Sequence, residues 1–95
     1  MNATQIIPKE SLNTFKFTSI SDVLQNLDSK KRRQIDLEKA LLLGNGYQGK
    51  VKITLVTADN QVLAVQTTIW SVSDSHVTLK GGTNLPISSV YSIEF

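Results

Sequence analysis

Ninety-five residues with ten Lys/Arg against eight Asp/Glu, 40% hydrophobic content and no cysteine fit one small domain built on a single core. The missing cysteines and the single histidine, His76, exclude disulfide scaffolds, zinc knuckles, iron–sulfur ligation and thiol nucleophiles, so no metal or cofactor is expected. No apolar run approaches the ~18 residues of a membrane span, and Pro8, Lys9, Glu10 and Lys16 interrupt the opening segment, so neither a span nor a secretory leader is expected and a cytoplasmic location is.

Residues 1–18 show no clear period and read as a flexible N-terminal arm, in which Phe15 and Phe17, alternating about Lys16, offer a short edge strand. Ile20, Val23, Leu24 and Leu27 fall at i, i+3, i+4 and i+7, and Ser19 and Asp22 have capping-box spacing, which predicts a helix start there. Leu37, Ala40 and Leu41 continue the helical spacing to Leu43, where Gly44 supplies a left-handed cap. The helical segment is therefore 19–43.

From Tyr47 the period changes to two. Val51, Ile53 and Leu55 share one face while Lys50, Lys52 and Thr54 share the other, and Ala58-Asp59-Asn60 turns the chain into a second long strand from Leu63 to Trp70. Val77 and Leu79 lead to a Gly81-Gly82 turn, Leu85 and Ile87 follow, and after a bend at Ser88-Ser89 come Ile93 and Phe95. Five such strands hide their edges and bury their apolar faces by curling into a small barrel over 47–95. The expected core is Val51, Ile53, Leu55, Leu63, Val65, Ile69, Val77, Leu79, Ile87 and Ile93, in one domain over 19–95.

A helix followed by five strands, with a Gly turn between the third and fourth, resembles the Sm-like and SH3-like small barrels over Asp36 to Phe95. The run Val77-Thr78-Leu79-Lys80-Gly81-Gly82-Thr83-Asn84-Leu85-Pro86-Ile87 is similar to the second Sm motif: an apolar strand, a basic residue with Gly, then another apolar strand. Where the first Sm motif has a strand Gly and an Asp/Asn pair for RNA bases, this chain has Val65 and the stretch 71–75. Leu41 to Asn45 and Thr67 to Trp70 also resemble short bacterial proteins of unknown function, which implies a bacterial origin and adds no activity. The fold class is thus mainly β with an N-terminal helical segment: a five-stranded SH3/Sm-like small barrel.

Gly44-Asn45-Gly46-Tyr47-Gln48-Gly49 spells a dinucleotide fingerprint, but such a loop leaves a strand and enters a helix, whereas this one leaves a helix and enters a strand. Its glycines read as a helix cap and a tight turn. Ser73, Asp74, Ser75 and His76 contain the letters of a hydrolase triad, yet on a strand Ser75 points away from Asp74 and His76, which makes the stretch a polar hairpin loop. No catalytic residues are assigned, and the chain is not expected to be an enzyme.

Charge divides unevenly. Seven Lys/Arg and five Asp/Glu precede Gly44, three and three follow, so the whole +2 excess lies in the first half and centres on Lys30-Lys31-Arg32-Arg33. Consecutive helical residues are about 100° apart, so these four side chains encircle the axis and leave no face for a core. Arg32 has Asp28 and Asp36 four residues away, which leaves Lys30, Lys31 and Arg33 as the candidate contacts to nucleic acid. Trp70, Tyr47 and Tyr91 are the candidate interaction surface. Two functions follow: a non-catalytic interaction module for a protein partner or for self-association through an open strand edge, or binding of RNA or single-stranded nucleic acid through the basic helix junction and the barrel face.

Overall fold

The computed structural model describes residues 5–18, 20–47 and 49–95. Val51–Val56 (β2) and Val62–Thr67 (β3) make an antiparallel hairpin with Ile53 opposite Val65 and Leu55 opposite Leu63, and Thr54 and Ala64, paired between them, are buried as well. The turn between them places Asn60 at φ 67 and is tied by Thr57 N–H to the Gln61 carbonyl at 2.9 Å. A hydrogen bond from the Thr57 hydroxyl, joined by one from Gln61, holds the Asp59 carboxyl below its ordinary range. β1 (Gln5–Ile6) pairs parallel to β3, and β7 (Val90–Glu94) pairs antiparallel to β2, giving one sheet in the order β1-β3-β2-β7.

The second strand expected from Leu63 to Trp70 divides at Thr68. Its continuation, β4 (Ile69–Val72), belongs to a second antiparallel sheet with β5 (His76–Leu79) and β6 (Asn84–Pro86). Gly81 and Gly82, both at φ 96, make the β5–β6 turn, a conformation costly for a residue with a Cβ. All ten expected core residues are buried, and residues of both sheets join one apolar cluster.

The strands make two sheets, not the closed five-stranded barrel. Between β6 and β7 the chain takes a 3-10 turn over Ile87–Ser89, and among the described residues those two strands do not pair. The helix α1 (Leu27–Tyr47) packs on β4 and β7, an outer strand of each sheet, and so bridges the two sheets by packing.

The helical segment expected at 19–43 is displaced to 27–47. Ser19 lies outside the described residues, and Ile20–Asn26 is not helical, because other partners take its polar groups: Val23 N–H donates to the Ser88 carbonyl at 2.9 Å, and Asp22 accepts from Leu24 N–H at 2.8 Å. Ile20, placed by its spacing on an apolar stripe, is 96% exposed. Asn26 is the true cap, its Oδ1 accepting from Asp28 N–H at 2.7 Å and Ser29 N–H at 3.3 Å. Gly44 does not end the helix. A Cβ there would stand 2.4 Å from the Ile69 carbonyl oxygen and 2.9 Å from Thr68 Cγ2, so glycine is what lets α1 approach β4. The helix closes further on, where Gly49 N–H returns to the Leu43 carbonyl at 3.2 Å.

Within the segment expected to be a flexible arm, the described residues 5–18 pack against the domain. A 3-10 turn over Lys9–Thr14 buries Leu12 to 2% exposure within the core, Ile7 N–H bonds the Ala64 carbonyl, and Phe17 packs on the core without forming a strand. A lone Leu between polar residues has no period, and for that reason its burial escapes a reading by pattern.

Gly44→Ala should destabilise by about 1–3 kcal/mol through overpacking, against its favourable helix propensity. Gly46→Ala, with nothing within 4 Å of the added Cβ, should stabilise by up to about 1 kcal/mol. Urea midpoints of the two variants check this opposition of sign.

Candidate functional site

The basic run divides on the helix. Arg33 is 8% exposed and shares the buried stripe of α1 with Leu37, Ala40 and Gly44, at i, i+4, i+7 and i+11. Its guanidinium forks onto Asp22, Nη1 to Oδ1 at 2.8 Å and Nη2 to Oδ2 at 2.6 Å, while Nη1 also donates to the Val90 carbonyl at 3.0 Å. The expectation that Arg33 contacts nucleic acid is thus corrected, because its donors are spent on fastening residue 22 and β7 to the helix. Arg32 pairs with Asp36 at 3.7 Å, Lys30 is half-buried and Lys31 is exposed. Of the expected three, Lys30 and Lys31 are in no ion pair among the described residues, and Lys31 is the exposed one.

Tyr47, Trp70 and Tyr91 are all exposed, on three different elements. Tyr91 borders a groove of about 370 Å³ with Leu24, Arg32 and Asp36 near the start of α1, Tyr47 is the last helical residue, and Trp70 lies on β4. Trp70 has different company. It lines a groove of about 240 Å³ with Gly44, Asn45, Thr68 and Lys80.

Thr68 and Lys80 also line a larger open groove of about 510 Å³, where Lys9, Lys50, Glu10 and Gln66 join them. Three separate pieces of chain supply its cations. Lys50 stands one residue before β2, Lys80 follows β5 and bonds its N–H to the Thr68 carbonyl at 2.8 Å, and Lys9 opens the 3-10 turn. A Cβ built on Gly81 would lie 3.4 Å from Lys9 Nζ, so the Lys9 ammonium stands over the turn that carries Lys80. The ion pairs among the described residues are Arg32–Asp36, Arg33–Asp22 and Lys52–Glu94, and none of the three groove lysines is in one. Three cations facing one carboxylate, Glu10, in a concave setting make a positive potential that an anion relieves.

Sequence reasoning missed this groove because its lysines lie 41 and 30 positions apart and each reads alone as a solvated charge. The available signal was a cation flanking the buried end of a strand, Lys50 before Val51 and Lys80 after Leu79.

The Ser73–His76 stretch is a hairpin turn: Ser73 N–H donates to the His76 carbonyl at 2.8 Å and His76 N–H to Ser73 Oγ at 3.0 Å. Ser75 Oγ meets His76 Nδ1 at 2.8 Å, and Asp74 is exposed beside them without bonding the ring. Among the described residues no group of three His, Asp or Glu is arranged to hold a metal ion, and no helix is long and apolar enough to cross a membrane. No family model matches the chain, and neither a curated protein nor a solved structure matches it.

The hydrogen bond from Arg33, first among its causes, holds the Asp22 carboxyl below its ordinary value despite burial. A folded value depressed below the unfolded one means that its stabilisation is complete above about pH 4 and fades as the pH falls through the folded value. Arg33→Met should cost about 1–3 kcal/mol at neutral pH, while Lys30→Gln with Lys31→Gln should stay within about 0.5 kcal/mol. Asp22→Asn should remove part of the stability lost as the pH falls below about 4, read from urea unfolding above and below that pH.

Proposed function

We propose that this chain is a non-catalytic interaction module on a small-barrel plan of the Sm-like and SH3-like kind, acting in the bacterial cytoplasm and binding the phosphates of nucleic acid. What supports the reading most is the convergence of Lys9, Lys50 and Lys80, in no ion pair, on one open groove. Lysine ammonium groups are compact charges on flexible stems, suited to a phosphate backbone that presents one anion per nucleotide and asks for no fixed fork geometry. The electrostatic contact moves from the helix junction to the face beside β3 and the β5–β6 turn.

Anisotropy of a labelled single-stranded oligonucleotide tests it across a salt series. Three phosphate contacts give a log K versus log salt slope of roughly −2, from about −0.7 each. Lys9→Gln, Lys50→Gln and Lys80→Gln together should flatten the slope with the urea midpoint retained, whereas Lys30→Gln with Lys31→Gln should leave it in place. An unchanged slope in the groove variant, or no binding at low salt, overturns the reading.

A second reading, self-association, is favoured by β7. Among the described residues this strand pairs only with β2, and beyond the Val90 carbonyl taken by Arg33 its outer side carries exposed Tyr91 and, just past the strand, exposed Phe95. A mass in solution that rises with concentration supports it; a constant monomer mass removes it.

A further inference from the structure

We infer that Trp70 determines the specificity of the groove: its indole is a stacking platform for one unpaired base, so that the site selects single strands over duplex. This rests on the reading of the lysine groove as a phosphate site.

Thr68 and Lys80 line both the lysine groove and the smaller groove of Trp70, so the two are one continuous surface, cationic at one end and aromatic at the other. Trp70 is 50% exposed, which leaves a large ring surface in water on a strand whose other exposed residue is Ser71. Its neighbours argue for a flat partner. The groove around it is made by Gly44, Asn45, Thr68 and Lys80, none of them a large apolar group. An aromatic anchor in a protein interface fills a well-packed, fully desolvated pocket near the centre of the contact, whereas Trp70 stands at one end of an open cationic groove. A nucleobase asks for less, because it brings its own apolar face and needs only a ring to lie on.

Position adds a second constraint. Trp70 is the residue at which β4 departs from regular register with β5: Ile69 faces Leu79 and Ser71 faces Thr78, so Trp70 is the extra residue of a bulge. A bulge re-aims the side chain it carries. Gly44, kept side-chain-free by the Ile69 carbonyl, leaves the space beside the indole open. Duplex bases are stacked within the helix and present edges, so a duplex can satisfy the lysines but cannot offer a face to Trp70 without unstacking.

Trp70 is the single tryptophan of the chain, so its intrinsic fluorescence reports this contact alone. Wild-type protein is titrated with oligothymidylate, oligouridylate, a duplex of equal length and polyglutamate. Both single strands should quench the indole saturably and bind more tightly than the duplex, and polyglutamate should leave the emission unquenched. By anisotropy, Trp70→Ala should weaken single-strand binding roughly 5- to 100-fold while leaving duplex binding and the salt slope unchanged, and Trp70→Phe should restore most of the loss. Equal binding of single strand and duplex, or a Trp70→Ala variant as tight as wild type, overturns the inference while the phosphate reading stands. Loss of nothing in the Lys9/Lys50/Lys80 variant overturns the phosphate reading. Binding of polyglutamate as tight as that of the oligonucleotides replaces both with an acidic protein partner.

Discussion

The helix α1 touches the strands at two points that admit no ordinary side-chain exchange, and the arrangement of the molecule depends on them. At one end Gly44 lies under the Ile69 carbonyl of β4, too close for any Cβ. Toward the other end Arg33 reaches the Val90 carbonyl of β7. Since β4 and β7 are outer strands of different sheets, a helix fixed to both ties the two sheets together. Apolar burial between the points, by Leu37 and Ala40, supplies the non-directional part of the adhesion.

The candidate site follows from the same corner. Thr68 is where the chain passes from one sheet to the other, directly beneath Gly44, and its carbonyl holds the Lys80 amide. The corner therefore fixes Trp70 two residues on, and Lys80, which follows β5. Lys9 joins them because β1 and the buried Leu12 pin the opening segment to β3 and the core. None of these side chains is held by an opposing carboxylate. The scaffold positions the cations by backbone and leaves their charge available.

The strands from β2 onward were legible in the sequence because their signal is local, whereas β1 and the break at Thr68 were not. Alternation of Val51, Ile53 and Leu55, the Ala58–Asn60 turn and the Gly81-Gly82 pair lie within one or two turns of chain, and the buried set follows from them. The helix was legible in existence and not in extent. Its buried stripe is Arg33, Leu37, Ala40 and Gly44, one large apolar residue among a cation and two small ones, so the true inward face carries little hydrophobic signal, while Ile20, Val23, Leu24 and Leu27 carry a misleading one. Which end of a basic run is buried is settled by Asp22 and Val90, 11 and 57 residues from Arg33. The groove lysines are long-range neighbours in the same sense, and Trp70 was visible as an exposed aromatic without its cationic surroundings.

A helix that ties the two sheets together must open with them. Native-state hydrogen exchange measures this residue by residue, comparing the α1 amides between Leu37 and Gly44 with those of β2 and β3. If the helix is the tie, these amides exchange through one common opening and report the same free energy as global unfolding. Helix amides exchanging at a clearly lower free energy, with β2 and β3 still protected, would show that the sheets hold together without α1 and would contradict the account.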